Sequence, residues 1–380
     1  MSKKTVCLMM SLVLLFCLSG CWSYRGLNEI TIVAAVGIDL DPDTQEYLIS
    51  CEIIDLTATE KGTGTKSKLV ESKGKTVMDA VRNAKKRLLN NLYWGNNEIL
   101  IIGNGVAKSG KLDNVLVWFL SDEECRETVG VIVSEERTAK DILTLKGLDN
   151  SVVAYEIKKI LDDDQSTVGT IESVPVYRAF STLKSEGRSL TLPVFRNVEN
   201  DDVMVVEADG EAVFKGNKLV GYLSPEESKY YLFAVDALHG GILTVSSTGQ
   251  NTPDISLEIS KSTTKTSYSY SDGKLKVTLQ IETRAFVDES EADTDLLDKK
   301  TTGKIEQETQ KMIKEKTEDV VHKVQKEYNS DIFGFGEMIY KKDLNLWKQL
   351  GPQWDKIFPT IQVEVQSKVN ILNTAFLKHS

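Results

Sequence analysis

The residue with the clearest chemistry in this sequence is a cysteine near the amino terminus. It ends the tetrapeptide Leu18-Ser-Gly-Cys21, and a leucine three residues before a cysteine, with small residues between, is the lipobox of bacterial lipoproteins. The small residues let a signal peptidase cut before the cysteine, whose thiol accepts a diacylglyceryl group. Two lysines and the apolar stretch 6–18 precede it, and that stretch is shorter than the roughly 20 residues that span a bilayer. We therefore predict a signal peptide over 1–20 and a lipid anchor at Cys21; the alternative is an ordinary secretory signal before a coincidental cysteine.

The charge balance of the mature chain bears on its partners. The full sequence has 46 basic and 56 acidic residues and a formal net charge of −10. Cleavage before Cys21 removes two lysines and no acidic residue, so the mature chain carries −12. Two acyl chains suffice for stable anchoring, but anionic lipid would repel so acidic a body unless a partner held it down. The same balance argues against nucleic acid as a partner, because phosphate contacts need a basic surface.

The sequence contains few of the motifs that catalytic or metal-binding proteins use. Asp39, Asp41 and Asp43 have the first spacings of a calcium loop, but its glycine and its final glutamate are missing. The three histidines have no cysteine or histidine at zinc-ligand spacing. No phosphate-binding loop or nucleophile elbow is present. We therefore expect no enzyme, no metal and no cofactor, although a pair of carboxylates that hydrolyses glycosides stays open because sequence gives no distances.

Two further cysteines follow the lipobox. Cys51 lies in a stretch that alternates apolar and polar residues over 47–53, which predicts a strand with a buried thiol. An exported compartment also permits a disulfide between Cys51 and Cys125, and sequence alone does not give their separation. The sequence therefore leaves open whether these cysteines are free thiols or form a disulfide.

The region 21–200 has the pattern of a mixed α/β fold. Strands are predicted at 30–38 and 46–54, and the turn between them makes a hairpin. A helix is predicted over 76–89, with three cations at its carboxyl end, where they suit the helix dipole. The continuous apolar run at 98–102 predicts a short buried strand.

The region 205–376 has the pattern of an α+β domain. A hairpin at 210–222 opens it, and two long strands follow within 255–287. A long charged helix is predicted over 293–328, with a narrow apolar stripe that must lie on a sheet. A last alternating strand covers 361–371. We predict an antiparallel sheet with a covering helix here, and a multidomain protein with α/β and α+β parts built on antiparallel or mixed sheets.

Several stretches of the chain resemble, in the same order, one known family. The resemblance runs through both regions and includes the lipobox. Two departures are Asn96-Asn97, where many relatives have a histidine, and Asn373-Thr374-Ala375, where a glycine is expected. The stretches that resemble the Ger(x)C family of spore germination lipoproteins are Cys21–Ile30, Val36–Asp39, Gly74–Val77, Leu92–Gly95, Ala139–Leu143, Leu192–Phe195, Ala212–Gly221, Gln325–Gly336, and Trp347 with Trp354–Pro359.

The resemblance implies a function as well as a fold. Members of the family are the C subunits of nutrient germinant receptors, alongside a polytopic A subunit and a transporter-like B subunit that binds the nutrient. The resemblance therefore implies a non-catalytic protein in the spore inner membrane, anchored in the outer leaflet through acylated Cys21 and needed for receptor assembly and signalling. It also implies three domains, two of them within 21–200. The alternative is a lipid-anchored solute-binding protein that binds the germinant itself; such proteins have two similar lobes, whereas the two regions here differ in pattern.

Two features of the second region are candidate contacts with a partner. Phe333, Gly334, Phe335 and Gly336 form either a partner contact or a tight turn that packs both phenylalanines into the core. Lysines on the exposed side of the long helix, Lys304 and Lys311 among them, could meet an acidic partner or anionic lipid. The alternative is that these lysines balance glutamates three or four residues away, each pair contributing a few tenths of a kcal/mol.

Overall fold

The computed structural model describes residues 4–5, 29–55, 66–145, 152–246, 254–290 and 298–372. Cys21 and nearly all of the predicted signal peptide lie outside these residues. The strands are β1 (Ile30–Leu40), β2 (Tyr47–Asp55), β3 (Lys66–Gly74), β4 (Asn91–Tyr93), β5 (Ile99–Ile102), β6 (Gly130–Ser134), β7 (Thr191–Asn200), β8 (Val203–Lys215), β9 (Lys218–Leu223), β10 (Ile242–Val245), β11 (Ile255–Ser271), β12 (Lys274–Ser290) and β13 (Gln362–Leu372). The α-helices are α1 (Val77–Ala84), α2 (Asn104–Ser109), α3 (Leu112–Ser121), α4 (Ala139–Leu143), α5 (Val153–Thr167), α6 (Val176–Leu183), α7 (Pro225–Ala234), α8 (Lys299–Lys323), α9 (Phe335–Lys342), α10 (Leu344–Leu350) and α11 (Trp354–Ile357).

The first sheet contains β1 to β9. Its order is β3-β2-β1-β5-β6-β7-β8-β9, and β4 pairs with the start of β1. The central strands β1, β5, β6 and β7 run parallel, and antiparallel strands flank them on both sides. The predicted hairpin of the first two strands is therefore present, and β3 forms one edge of the sheet.

Helices cover both faces of the first sheet. Successive residues of a strand point to opposite faces, so Leu100 and Ile102 of β5 belong to one core, and Ile99 and Ile101 belong to the other. The helices α1, α2, α3 and α6 pack on the first of these cores. The helices α4 and α5 pack on the second. The apolar run at 98–102 predicts this arrangement, because a strand buried on both faces needs no alternation.

The first sheet continues past the boundary suggested by the sequence. The boundary between the two predicted regions, at 200–205, falls at the turn between β7 and β8. Asp201 and Asp202 in this turn have left-handed backbone conformations. The next two strands pair with β7 and with each other. The hairpin that sequence placed at the start of the second region thus completes the first sheet, because its exposed backbone edge pairs with β7.

The second sheet has the order β10-β11-β12-β13. The strands β11 and β12 form the long antiparallel hairpin that the alternating pattern predicts. The last strand, β13, pairs parallel with β12, so the sheet is mixed: the predicted antiparallel pairing holds for β10 to β12 and is wrong for β13. A parallel neighbour needs a crossover connection, and the chain between these strands, which includes α8, supplies it.

The long helix α8 covers the apolar face of the second sheet. Two of its glutamates reach the free edge of β13: Glu306 Oε1 accepts a hydrogen bond from the backbone N–H of Ile371 at 2.8 Å, and Glu318 Oε1 accepts one from Val365 at 3.4 Å. The helix ends in a π-helical turn at Val324–Tyr328. Its buried residues are Ile305, Thr309, Ile313, Thr317, Val320 and Val321.

The described residues form two sheet-based halves. We call 29–223 the first half and 225–372 the second half. The first half is mixed α/β and the second is α+β, which confirms the predicted fold class. A third domain is not confirmed, because the strands of the described residues join only these two sheets.

Candidate functional site

The residues that the sequence singles out in the second half lie in one buried turn. The turn 331–336, called the junction turn below, connects the end of α8 to α9, and all six of its residues are buried. The rings of Phe333 and Phe335 stack, with centroids 5.3 Å apart and 16° between their planes. The turn therefore packs both phenylalanines into the core, which is one of the two interpretations that the sequence allowed. A partner contact through Phe333, Gly334, Phe335 and Gly336 has no support in the described chain, because packing removes these residues from the surface.

A buried carboxylate organises the junction turn. Asp331 is 4% exposed. Its Oδ1 accepts hydrogen bonds from the backbone N–H groups of Gly334 at 2.9 Å and Phe335 at 3.2 Å. Its Oδ2 accepts from the backbone N–H of Gly336 at 2.8 Å and from Trp354 Nε1 at 3.1 Å. Four donors thus converge on one carboxylate at the amino terminus of α9, where negative charge also suits the helix dipole.

The junction turn joins the two halves through backbone hydrogen bonds. The N–H of Ser189, in the first half, donates to the carbonyl of Asp331 at 2.8 Å. The N–H of Glu337 donates to the carbonyl of Gly187 at 2.9 Å. Arg188, between these two loop residues, forms an ion pair with Glu337 at 3.5 Å. Residues 187–189 precede β7 and form the first half's side of this contact.

Close approach at this contact requires glycine on both sides. Gly187 and Gly334 have φ values of 69° and 73°, in a region that other residues rarely adopt. A Cβ atom on Gly336 would lie 2.7 Å from the carbonyl oxygen of Gly187 and 2.8 Å from Trp354 Cε2. The resemblance pointed to Gly334 and Gly336. Gly187 was missed, because its partner is distant along the chain; its only local signal is the glycine itself.

The residues before the junction turn bind other segments through their side chains. Gln325 Nε2 donates to the carbonyl of Ile361, just before β13, at 3.0 Å. The hydroxyl of Tyr328 donates to a carbonyl of β9 at 2.7 Å. Ser330 Oγ donates to a carbonyl of β8 at 2.6 Å. The stretch 325–336 therefore links the first sheet to the segment that leads into β13, and these bonds explain why the polar side chains of Gln325 and Ser330 are buried.

The two lysines predicted to contact a partner lie on the exposed side of α8. Neither Lys304 nor Lys311 forms an ion pair with another described residue. Two other lysines of the same helix, Lys316 and Lys323, pair with glutamates of α7 at 3.1 and 2.8 Å. No ion pair joins two described residues of α8, so the alternative of pairs within the helix does not describe it. Contact of Lys304 and Lys311 with a partner stays a prediction.

The aspartates with calcium-loop spacing do not converge in the structure. Asp39 is buried, and its carboxylate accepts hydrogen bonds from the backbone N–H groups of Ala139 at 2.8 Å and Lys140 at 3.3 Å. Asp41 Oδ1 instead accepts from the backbone N–H of Asp43 at 3.0 Å, within its own turn. These carboxylates therefore stabilise the start of α4 and the hairpin turn. Among the described residues no group of three or more potential ligands could hold a metal ion.

Both described cysteines are free thiols. Burial raises the pKa of the Cys51 thiol to about 12, and burial together with nearby acidic residues does the same for Cys125. Because the thiolate is the nucleophilic form, neither side chain is a reactive nucleophile at neutral pH. The disulfide that sequence left open is absent between them.

A cleft of about 340 Å³ lies beside the junction turn, between the two halves. Arg178 and Arg188 line it from the first half, and Asp236 and His239 line it from the second. Arg178 pairs with Glu172 at 2.9 Å, and Asp236 accepts a backbone hydrogen bond at 2.7 Å. The charged lining is thus largely engaged with the protein's own groups.

Two family models match this chain and together account for most of it. The model "Spore germination protein N-terminal domain" matches residues 23–197, and "Spore germination B3/ GerAC like, C-terminal" matches 209–375. The fold and the two matches together define a two-domain spore germination protein. The chain belongs to the GerAC family, the C-type subunits of germinant receptors. This confirms the resemblance seen in the sequence.

Curated relatives and a solved structure match along nearly the whole chain. Spore germination protein KC of Bacillus subtilis (strain 168) is 23% identical over 98% of this chain and 97% of its own. Spore germination protein A3 of the same organism is 25% identical over 98% of this chain and 97% of its own. The crystal structure of the GerBC protein superposes with a TM-score of 0.60 at 19% identity, covering 89% of this chain and 97% of that one. The last match supports the fold.

We expect the junction contact to tolerate no Cβ atom. Gly336→Ala should lower the free energy of unfolding by roughly 1–3 kcal/mol, because overpacking displaces Gly187 or Trp354. The matched control is Gly303→Ala in α8, where a Cβ would meet nothing within 4 Å; it should raise stability by up to about 1 kcal/mol, since alanine favours a helix. Urea unfolding of both variants measures the difference, and equal effects would contradict the contact.

Asp331 should make stability depend on pH. Burial raises the pKa of its carboxyl group to about 6, against an opposing effect of its hydrogen bonds. The folded protein therefore takes up this proton at higher pH than the unfolded chain, so the contribution to stability grows as pH falls below about 6 and is lost as pH rises through that value. Between about pH 7 and about pH 5, the wild type should gain about 1 kcal/mol more than Asp331→Asn.

The comparison isolates one carboxyl group. Burial also raises the pKa of Asp39 to about 6, but that residue is common to both proteins and cancels. Unfolding free energies that change in parallel for wild type and Asp331→Asn would contradict the prediction.

Proposed function

We propose that this protein is the lipid-anchored, non-catalytic C subunit of a nutrient germinant receptor. In this role acylated Cys21 holds it on the outer leaflet of the spore inner membrane. There it contacts the integral-membrane A and B subunits of the same receptor. It is required for receptor assembly and for germination signalling.

The order of features along the chain is the observation that carries this proposal. A lipobox ends at Cys21, and the two family domains follow directly from residue 23. The first strand begins at Ile30, so only a short segment separates the predicted lipid from the folded body. A tether of this length raises the concentration of the body near membrane partners. None of the described helices is long and apolar enough to cross the bilayer.

The buried carboxylates support a role in binding rather than in turnover. A catalytic acid or base must be within reach of a substrate proton. Here Asp331 accepts from the junction turn and Asp39 from α4. Glu52, which is 1% exposed, accepts from the first two N–H groups of α5 at 3.0 Å each. These groups stabilise helix termini, which favours a protein that acts through its surface.

The alternative of a solute-binding protein is less well supported. Its usual architecture has two similar lobes that close over a ligand, whereas the halves here differ in topology. The cleft beside the junction turn is lined by charges that already have partners, such as Arg178 with Glu172. A ligand would have to compete with those ion pairs.

Cys21→Ala should release the protein from spore membranes and sharply lower germination through its receptor, because the thiol is the site of the predicted anchor. Membrane fractionation and incorporation of a labelled fatty acid measure the effect. Cys125→Ala is the matched control and should stay acylated and membrane-bound. A Cys21→Ala protein that still takes up the fatty acid would disprove the anchor.

Reversing two exposed charges on α8 tests contact with the other subunits. Lys304→Glu with Lys311→Glu should lower recovery of the A and B subunits with this protein, while the melting temperature hardly changes, since neither lysine has an ionic partner in the described chain. The matched control is Lys342→Glu with Lys348→Glu, two exposed lysines on α9 and α10. Normal assembly in the α8 variant would exclude docking through this helix.

A further inference from the structure

The end of α1 exposes an unusual combination of side chains. A short 3₁₀ turn, Lys85–Arg87, follows this helix, and all three cations are exposed. Leu89, two residues later, is 94% exposed, the highest value among the exposed large apolar side chains. We call Lys85–Leu89 the basic loop. Three cations beside a fully exposed leucine are typical of surfaces that bind anionic lipid, where charge attracts and the apolar side chain enters the interface.

The cations of the basic loop have no acidic partner among the described residues. Lys85 Nζ donates to the carbonyl of Leu89 at 2.7 Å. Arg87 Nη1 donates to the carbonyl of Glu71 in β3. These bonds are to neutral carbonyl groups, so they hold the loop in shape and leave its charge uncompensated. The sequence placed these cations at the carboxyl end of a helix, where they would interact with the helix dipole. In the structure they follow the end of α1 and lie next to an exposed leucine.

The basic loop lies where the chain enters the fold. It leads directly into β4, which pairs parallel with the first residues of β1, with Ile30 opposite Asn91. Asn90 Nδ2 also donates to the carbonyl of Ile30, at 3.5 Å. Cys21 is nine residues before Ile30, so the chain length limits the distance from the predicted lipid to Ile30, the neighbour of the loop, to about 30 Å.

We propose that the basic loop rests on the anionic lipid surface beside the anchor, with Leu89 inserted at the boundary between headgroups and acyl chains. This inference rests on the proposed anchoring at Cys21. The remainder of the mature chain is strongly acidic and is repelled by such a surface. The loop therefore sets the orientation of the tethered body: the starts of β1 and β4 face the membrane, and the rest of the fold points away.

The experiment places a reporter on the loop of the acylated full-length protein. Leu89→Cys, made in a Cys125→Ala background, is labelled with an environment-sensitive fluorophore and reconstituted in vesicles of equal parts phosphatidylglycerol and phosphatidylcholine. Flotation reports the tether, and quenching by brominated lipid reports insertion of the loop. We expect the emission to shift to shorter wavelength and to be quenched. Leu344→Cys is the matched control, an exposed leucine of the second half, and should give neither signal.

Charge variants test the electrostatic part. Each cation near an anionic surface changes a binding equilibrium about fivefold, so Lys85→Gln with Lys86→Gln should lower the ratio of inserted to water-exposed loop about 25-fold. Insertion of the wild-type loop should also be weaker in vesicles of phosphatidylcholine alone, because these have no anionic lipid.

The outcomes separate this inference from the proposed function. A protein that floats with the vesicles but keeps its Leu89→Cys probe in water overturns the basic loop as a lipid contact and leaves the tether intact. If the probe is then shielded only when the other receptor subunits are added, the loop binds protein instead of lipid, which also overturns the proposal. A protein that does not float refutes the tether, and the loop proposal with it.

Discussion

A single buried carboxylate, that of Asp331, determines how the two halves of this protein meet. Burying a charge without partners is costly. Here four hydrogen-bond donors offset that cost, three from the backbone of the junction turn and one from Trp354. Three of those donors are backbone N–H groups of the junction turn, in which Gly334 has a left-handed conformation. That conformation in turn presents the backbone of 331–337 to residues 187–189 of the first half. The charge, the glycines and the contact between halves are therefore one structural unit.

The same physical rule recurs through the first half. Asp39 and Glu52, on neighbouring strands of the first sheet, each direct a carboxylate to the amino terminus of a helix that packs on that sheet. The carboxylates satisfy N–H groups that a helix leaves unpaired, and they fix where α4 and α5 begin. In the second half the direction is reversed, and Glu306 of α8 accepts from the free edge of β13. Acidic residues thus stabilise the contacts between helices and sheets, which accounts for part of the chain's negative charge.

In the proposed role this protein acts through its surface. The family match identifies a germinant receptor subunit, and the buried carboxylates of Asp39, Glu52 and Asp331 stabilise helix termini. Two groups of exposed cations lie far apart in the described sequence: the lysines of α8 in the second half and the basic loop in the first. One lies on a helix that can meet another protein, and the other lies beside the segment that leads to Cys21. In the proposed role, the basic loop would attract the anionic membrane and the lysines of α8 would attract an acidic partner, so the two surfaces would orient the acidic body.

The local features of this protein can be read from its sequence, whereas the way they combine depends on contacts between distant segments. Alternation along β11 and β12, the lipobox and the apolar stripe of α8 are visible in sequence, because each depends on neighbours within one element. The addition of β8 and β9 to the first sheet, the parallel pairing of β13 and the partner of Gly336 were not visible. Each depends on which distant backbone edge or loop a segment meets, and many edges have the same local pattern. The exposure of Leu89 was not visible either: the sequence predicted a helix over 76–89, whereas the α-helix ends at Ala84 and leaves Leu89 exposed beyond it.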